Sequence, residues 1–192
     1  VALQWLKNAR GIMSEIENTQ QESITKAATV MADCIEKGHW VHTFGCGHAT
    51  IPIQEMYPRI GGFVGFHPIC ELPLTFFTQI VGDLGVHPFV FLERVEGYGV
   101  EIMKGYNFDK NDVMWIFSHT GINNVNIDIA LEAKKRGMTV IAYGAVAQAK
   151  GKKTRHSSGK TIFEIADMVV DSCAPAGDAT VKLKNNSDPV GP

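Results

Sequence analysis

The first forty residues place apolar and polar positions at the period of an α-helix. Apolar or small residues recur three or four positions apart, at Ile12, Ile16, Thr19, Ser23, Ala27, Val30 and Cys34. Charged residues lie between them, so one face of the segment is apolar and the other is solvated. Gly38 follows the last of these positions, where a glycine typically ends a helix. The pattern predicts one long helix or two shorter helices over about residues 1–38.

After this segment the pattern changes to short apolar runs that are separated by glycines and polar loops. The clearest strand candidates are 40–44, 112–117, 139–143 and 168–171, with further candidates at 63–69 and 88–94. Helices are predicted at 48–60, 72–81, 97–104 and 123–136. Short buried strands that alternate with helices predict an α/β fold with a doubly wound parallel sheet. Ligands of such sheets bind beyond the carboxyl ends of the strands.

Composition and charge narrow the class of protein. The chain has 192 residues, 45% of them hydrophobic and 20% charged, which is typical of a single globular domain. A net charge of −2 gives no basic excess for nucleic-acid binding. We find no apolar run of about 18 residues and no signal-peptide pattern, so we expect no membrane partner. The four cysteines form no C-x-x-C pair, which favours free thiols and a cytoplasmic location.

The first loop with candidate chemistry follows the strand at 40–44. It contains Gly45, Cys46 and Gly47 before a predicted helix. Two glycines between a strand and a helix allow backbone N–H groups to close around an anion at a helix N-terminus. An ordinary strand-to-helix turn is the alternative interpretation.

The second such loop follows the buried strand at 112–117. Ser118 and Thr120 supply hydroxyl donors, Gly121 permits a tight backbone, and Asn123 is placed to cap the next helix. These donors and the helix dipole would converge on one anion. The alternative is that the polar residues serve only as helix caps.

A third polar segment contains Arg155, His156, Ser157 and Ser158, in a basic stretch with several lysines. These four side chains would suit a phosphate or a sugar. A solvated surface loop is the alternative, and it is the simpler account of the lysines.

Three motifs together resemble the sugar isomerase (SIS) domain family. The strand-SHTG-helix unit that ends in EAKKRGMTVI resembles the second half of that domain, and GCGHAT resembles its first phosphate-side loop. The stretch RHSSGKTIFEIADMVVDSCAPAGDA is similar to a subgroup of uncharacterised SIS proteins grouped under a UPF label. The resemblance covers about residues 14–178. It implies a flavodoxin-like sheet of five parallel strands, in one SIS domain over 1–192 with its sheet core at about 40–175.

The resemblance also implies a ligand and an assembly. SIS domains act on phosphorylated sugars or sense them, and they usually form dimers or tetramers with sites at subunit interfaces. Relatives of this subgroup continue into another helix after the C-terminal tail. Carried over to this chain, the predicted phosphate contacts are Gly45, Gly47, Thr50, Ser118, His119, Thr120, Asn123, Ser157 and Ser158. Ala49 replaces the usual serine of the first loop, and Thr50 is its expected substitute.

Aldose–ketose isomerisation needs a base that moves a proton between adjacent carbons, and often an acid for ring opening. Glu55 is the first candidate base, because related proteins have a glutamate on this helix. The alternative is a surface ion pair with Arg59 at i+4. His48 is a candidate acid, and His156 is a candidate that would act across a dimer interface. Secondary candidates are Glu71, Glu96 and Asp178.

The sequence favours neither a metal nor a nucleotide. His39 and His42 form H-x-x-H, but a strand at that spacing would turn the two rings to different faces, and no acidic or cysteine cluster has tetrahedral spacing. Rossmann and P-loop motifs are absent. We therefore expect no cofactor. The hypotheses that remain are a sugar-phosphate isomerase, a non-catalytic sugar-phosphate sensor, and a lyase or deaminase acting on an amino-sugar phosphate.

Overall fold

A computed structural model describes residues 2–57, 59–78, 82–177 and 179–191. Its strands are β1 (Val41–Gly45), β2 (Phe66–Pro68), β3 (Val113–Phe117), β4 (Thr139–Gly144) and β5 (Met168–Asp171). The α-helices are α1 (Ala2–Thr19), α2 (Gln21–Glu36), α3 (Ile51–Met56), α4 (Leu72–Thr75), α5 (Val86–Leu92), α6 (Tyr98–Lys104), α7 (Asn124–Lys135), α8 (Val146–Ala149) and α9 (Ile162–Ile165). Two 3₁₀ turns, Gly47–Thr50 and Gly82–Gly85, precede α3 and α5.

The strands form one parallel sheet of five strands in the order β2-β1-β3-β4-β5. This arrangement confirms the predicted α/β fold and its doubly wound sheet. All residues of β1 are buried, and in β3 only Trp115 is partly exposed. Helices cover both faces of the sheet, which explains why these strands are continuous apolar runs without polar alternation.

Two apolar layers hold the helices to the sheet. Phe44 and Ile116 point to one face and belong to the cluster that includes the buried side of α7. Val41 and Val113 point to the opposite face, where they pack with Ala27 and its neighbours on α2. Successive strand residues therefore serve opposite layers, as the two-residue period of a strand requires.

The N-terminal segment is two helices, one of the two alternatives that its pattern predicted. α1 and α2 are separated only at Gln20. Gly38 ends the segment with φ of 81°, a left-handed conformation that glycine adopts without steric cost. The apolar positions of α2 face the sheet, so this helix forms one outer layer of the domain.

The prediction of a strand at 88–94 was wrong, because residues 86–92 form a helix that is followed by a turn. α5 begins at Val86, so Pro88 lies in the first turn, where a backbone nitrogen needs no intrahelical partner. Phe89 and Leu92 then lie three residues apart and pack against the core. An apolar run of this length does not distinguish a short helix from a strand.

Other elements are shorter than predicted. The strand expected at 63–69 covers 66–68, and the helix expected at 48–60 is a 3₁₀ turn followed by α3, which ends at Met56. α4 covers 72–75 of the helix expected at 72–81, and residues 79–81 lie outside the described residues. In the described part of the chain, we find no helix whose length and hydropathy would suit a membrane span.

Candidate functional site

The crevice between β1 and β3 is the topological switch point of the sheet. β1 is followed in sequence by β2 on one side, whereas β3 pairs with β1 on the other side, with Gly45 opposite Phe117. Loop one (residues 45–50) and loop two (residues 118–123) therefore start side by side. A Cβ atom on Gly45 would lie 2.7 Å from the Ala49 carbonyl oxygen and 3.2 Å from that of Phe117. Glycine is thus required for the two loops to approach.

Loop one is closed by its own hydrogen bonds. Gly47 has φ of 61°, and a Cβ there would lie 2.5 Å from the ring of Phe89. The buried Thr50 hydroxyl donates to the Gly47 carbonyl oxygen at 2.6 Å and accepts from Gln54 Nε2 at 3.0 Å. The sequence predicts that the Thr50 hydroxyl contacts phosphate. In the structure this hydroxyl instead stabilises the conformation of loop one.

A cavity of about 360 Å³ opens beside loop one. Its walls are formed by Gly47, His48, Thr50, Ile51, Gln54, Glu55, Thr75, Phe77 and Thr78. The exposed His48 ring packs edge-on against Phe77, with ring centroids 5.9 Å apart. Thr75 contributes a buried hydroxyl to the cavity wall. The cavity thus brings together two predicted acid–base residues, His48 and Glu55.

Glu55 also makes the ion pair that the sequence offered as an alternative role. Its Oε1 contacts Arg59 Nη1 across one helical turn. The Glu55 side chain is 65% exposed and that of Arg59 is 58% exposed, so water screens the pair. An exposed pair of this kind contributes less than about 1 kcal/mol. Arg59 can therefore release the carboxylate to a ligand at little cost.

Loop two is fixed by the contacts of its serine and its glycine. The Gly121 backbone N–H donates to Ser118 Oγ at 3.1 Å, and a Cβ on Gly121 would lie 2.5 Å from the Phe163 ring. Of the predicted phosphate contacts in this loop, His119 is exposed, Thr120 and Asn123 are partly exposed, and Ser118 is buried.

Asn123 occupies the N-cap position of α7, but its side chain makes no capping bond. Its amide instead donates to Glu93 Oε2 at 2.7 Å. The next amide, Asn124 Nδ2, donates to the Arg94 carbonyl oxygen at 2.8 Å, and Asn124 Oδ1 is buried without a described partner. These bonds attach loop two and the start of α7 to the residues that follow α5. The predicted side-chain cap of α7 by Asn123 does not form.

Glu93 is the residue at this site that sequence reasoning missed. Burial raises the pKa of its carboxyl group, against the lowering effect of the charges of Arg94 and Arg155. Arg155, in the third polar segment, thus acts electrostatically on the carboxyl group that accepts the hydrogen bond from Asn123. The sequence offered one indication of this residue, a glutamate without a predicted role at the end of the segment that was predicted as a strand.

The third segment uses its polar side chains to bind other parts of the chain. Buried His156 places Nε2 3.0 Å from Asp128 Oδ1 and Nδ1 2.9 Å from Ser158 Oγ. Ser157 donates to Glu96 from both its backbone N–H and its hydroxyl. These two bonds lower the pKa of Glu96. Among the described residues that line the cavity, none comes from this segment, so the single chain does not bring His156 to Glu55.

Glu71 is bound within the domain, and Asp178 lies outside the described residues. Glu71 caps α4 by accepting from the Leu74 N–H at 3.1 Å, and it accepts from the Tyr98 hydroxyl at 2.6 Å. Burial and this carboxylate raise the pKa of Tyr98 to about 12. In loop one, burial and then the charges of Glu93 and Glu71 raise the pKa of Cys46 well above its usual range. That thiol is therefore unsuited to act as a nucleophile.

His39 and His42 both approach Asp112, whereas the sequence predicted rings on different faces. His42 Nε2 lies 3.0 Å from Asp112 Oδ2, and His39 Nδ1 lies 3.9 Å from Asp112 Oδ1. His39 precedes β1, so strand alternation does not apply to it. Within the described ranges, no group of three His, Cys, Asp or Glu side chains has the arrangement of a metal site.

With this geometry established, comparison with known proteins defines the class. Residues 4–145 match the SIS domain, which is most of the chain, and the chain therefore belongs to the SIS domain family. It is 35% identical over 192 aligned positions to a UPF0309 protein of Shouchella clausii, a match that covers 98% of this chain and 75% of the relative. It is 33% identical to a UPF0309 protein of Thermoanaerobacter pseudethanolicus, covering 96% and 73%.

Solved structures show the same fold at lower sequence identity. The phosphoheptose isomerase of Neisseria gonorrhoeae superposes with a TM-score of 0.63 at 17% identity, covering 88% of this chain and 83% of that one. A phosphoheptose isomerase from Francisella tularensis gives 0.61 at 15% identity, covering 88% and 82%. The predicted family resemblance is confirmed, and so is the predicted fold.

Proposed function

We propose that this protein binds a phosphorylated sugar and interconverts its aldose and ketose forms. The observation that supports this most directly is the cavity of about 360 Å³ that His48 and Glu55 line together. Its volume lies within the usual range for small-molecule sites. Membership in the SIS domain family, and a fold shared with two phosphoheptose isomerases, favour a sugar phosphate as the ligand.

The phosphate group would lie between loop one and loop two. Backbone N–H groups of the glycine-rich turns and the solvent-facing side chains of His119 and Thr120 are its proposed donors. The N-terminus of α7, a helix of 12 residues, adds a favourable dipole. The buried Ser118 supports this loop by accepting the Gly121 N–H.

The proposed chemistry assigns one proton transfer to each acid–base residue. Glu55 releases Arg59 and takes the proton from the carbon next to the carbonyl group, which leaves an enediolate. Within the enediolate the hydroxyl proton moves from the oxygen of the second carbon to the oxygen of the former carbonyl carbon. The protonated carboxyl group then returns the carbon-bound proton to the former carbonyl carbon, which leaves the new carbonyl group on the second carbon, so that the atoms balance. His48 exchanges the proton of the sugar oxygen during ring opening.

Two measurements on purified protein test the proposal together. A thermal-shift screen compares sugar phosphates with their parent sugars, since a ligand at a hundred times its Kd stabilises the native state by about 2.7 kcal/mol. An isomerase assay then compares wild type with Glu55→Gln and with Glu101→Gln, an exposed helical carboxylate outside the cavity. We expect Glu55→Gln to keep binding and to lose at least about a hundredfold in turnover, and Glu101→Gln to keep both.

Other results would select the other hypotheses. Phosphate-dependent binding without turnover of any sugar would identify a sensor. Cleavage or loss of ammonia in place of isomerisation would identify lyase or deaminase chemistry. Unchanged turnover in Glu55→Gln would remove Glu55 from the mechanism.

The proposal includes a cytoplasmic homodimer or homotetramer. Exposed apolar side chains between α3 and β2, at Ile60, Phe63 and Val64, support an assembly that would cover them. Sedimentation equilibrium at micromolar concentration measures this assembly, and a monomer there would contradict it.

A further inference from the structure

Gln148, in α8, is a buried amide with three polar contacts. Only 2% of the residue is exposed. Its Oε1 lies 2.7 Å from Lys152 Nζ, and its Nε2 lies 2.8 Å from the Gly177 carbonyl oxygen. The same Nε2 lies 3.2 Å from Nε2 of His119 in loop two. Gln148 therefore links loop two to the basic segment and to the C-terminal tail.

The neighbours of this amide allow only one orientation. A lysine ammonium group only donates, so the atom that faces Lys152 must be the carbonyl oxygen of Gln148. A backbone carbonyl only accepts, so the atom that faces Gly177 must be the amide nitrogen. Rotating the amide by 180° would place donor against donor and acceptor against acceptor. Both contacts therefore fix the NH₂ group toward His119.

This orientation determines the protonation state of His119. The Gln148 NH₂ group has two hydrogens, one for Gly177 and one for His119. The His119 Nε2 must then accept, which requires a neutral ring with its proton on Nδ1. This exposed residue of loop two consequently offers a single N–H donor at Nδ1.

We propose that Gln148 is a positioning residue that holds His119 as a neutral Nδ1–H donor for the anionic group bound by loop two. This inference rests on the proposed function for its ligand, but not for the state of the imidazole ring in the free protein. A neutral Nδ1–H group donates a hydrogen bond to a phosphate oxygen in a fixed direction, and the bond from Gln148 fixes which ring nitrogen donates it.

The first test measures the tautomer of His119 in the free protein. The protein is labelled with ¹⁵N-histidine, and the His119 signals are assigned by their loss in His119→Asn. We expect the ¹⁵N shifts of wild type to show protonated Nδ1 and unprotonated Nε2. Gln148→Leu should shift the ring toward the Nε2–H form that predominates in free histidine. Lys152→Met should shift it part of the way, because the amide can then rotate, whereas the exposed neighbour Lys153→Met should leave it unchanged.

The second test measures inorganic phosphate binding by calorimetry at pH 8. We expect Gln148→Leu to weaken binding about tenfold, the size of one hydrogen bond to a charged group, because the released ring no longer holds its N–H at Nδ1. Wild type and Lys153→Met should bind equally. If Gln148→Leu does not fold, Lys152→Met against Lys153→Met provides the same comparison.

The two proposals fail in different ways. Protonated Nε2 in wild-type His119, or equal spectra for wild type and Gln148→Leu, would overturn the role of Gln148. An Nδ1–H tautomer in a protein that binds neither phosphate nor any sugar phosphate would overturn the proposed function and the ligand of His119, while the state of the ring would stand.

Discussion

Gly144, the last residue of β4, leaves the space that loop two occupies. A Cβ atom built there would lie far inside van der Waals contact of the Ser118 carbonyl oxygen and 3.0 Å from Phe163 Cζ. Neither neighbour can retreat, since one is backbone and the other packs against the core. We expect Gly144→Ala to lower the free energy of unfolding by about 3 kcal/mol and to weaken phosphate binding by displacing loop two. Urea denaturation and calorimetry measure the two effects.

The control for this substitution lies in α1. Nothing approaches within 4 Å of a Cβ built on Gly11. Gly11→Ala should therefore stabilise the protein by about 0.5–1 kcal/mol, since alanine is the better helix former. Similar losses of stability in the two variants would show that the close contact at Gly144 is not the cause.

Individual site residues show how far sequence alone can predict a role. The sequence placed the hydroxyl groups of Thr50 and Ser118 in two loops that follow strands. Both loops lie at the predicted ends of those strands. Their hydrogen-bond partners were not predictable in the same way. Asn123 bonds to Glu93, 30 residues away, and His156 bonds to Asp128, 28 residues away. Pairings of this separation depend on the fold and leave no periodic signal in the sequence.

Whole elements were predictable where one local pattern decided them. β3 is a continuous buried run, and α7 combines helical spacing with a terminal glycine, so both were predicted closely. α5 was not, because its seven residues are apolar enough to suit either state. The predicted alternation of strands and helices indicated a doubly wound parallel sheet, because crossover connections between parallel strands are right-handed.

Asp128 joins three elements through a single carboxylate. Its Oδ2 accepts from the backbone N–H groups of Gly97 and Gly99 at 2.7 and 3.1 Å, and its Oδ1 lies 3.0 Å from His156 Nε2. The start of α6 and the third polar segment are thereby held to α7. We expect Asp128→Ala to lower the free energy of unfolding by about 3 kcal/mol, because it removes the partner of the Gly97 and Gly99 N–H groups and of the buried His156 ring. Equilibrium urea denaturation measures this loss.

An exposed carboxylate provides the matched comparison for Asp128. Glu101 forms a solvent-exposed ion pair with Lys104, so Glu101→Ala should cost less than about 1 kcal/mol. Hydrogen exchange adds a local measurement, since the amides of Gly97 and Gly99 should lose protection in Asp128→Ala only. Equal losses of stability in the two alanine variants would contradict the linking role of Asp128.

At the scale of the whole molecule, the edge of the sheet makes stability depend on pH. His42 on β1 and His67 on β2 are register partners, and their Nδ1 atoms lie 2.9 Å apart. Burial lowers the pKa of His42, although Asp112 opposes the shift. Burial and then the charge of His42 lower the pKa of His67. Two nitrogens at this distance share one proton, so the pair resists becoming doubly charged.

The sign of the effect follows from proton binding in the two states. Below about pH 6.5 the unfolded chain protonates both histidines, while the folded chain, with lowered pKa values, does not. Stability is therefore lost as pH falls from about 6.5 toward the folded pKa values, by about 1 kcal/mol per pH unit for each histidine. Asp112 adds to the loss at lower pH. Burial raises its pKa, but hydrogen bonds from the backbone N–H groups of Trp40 and Asp109, and then from His42, lower it more. The raised pKa of Glu93 has the opposite effect on stability, because the folded state then binds this proton more readily than the unfolded state as pH falls.

Substitution of His67, on the edge strand β2, separates the contribution of the histidine pair to the pH dependence from those of the other groups. Urea denaturation at pH 7.5, 6.5 and 5.5 should show a falling free energy of unfolding in wild type and a shallower fall in His67→Gln, which keeps a polar side chain beside His42. His87→Gln, at an exposed position on α5, should keep the wild-type slope. Tyr106 and His39 surround the pair in every variant, so they do not account for a difference. A slope in His67→Gln equal to that of wild type would show that the pH dependence arises elsewhere. A shallower slope would show that protonation of the pair at the sheet edge weakens the strand that leads into α4 and the cavity wall.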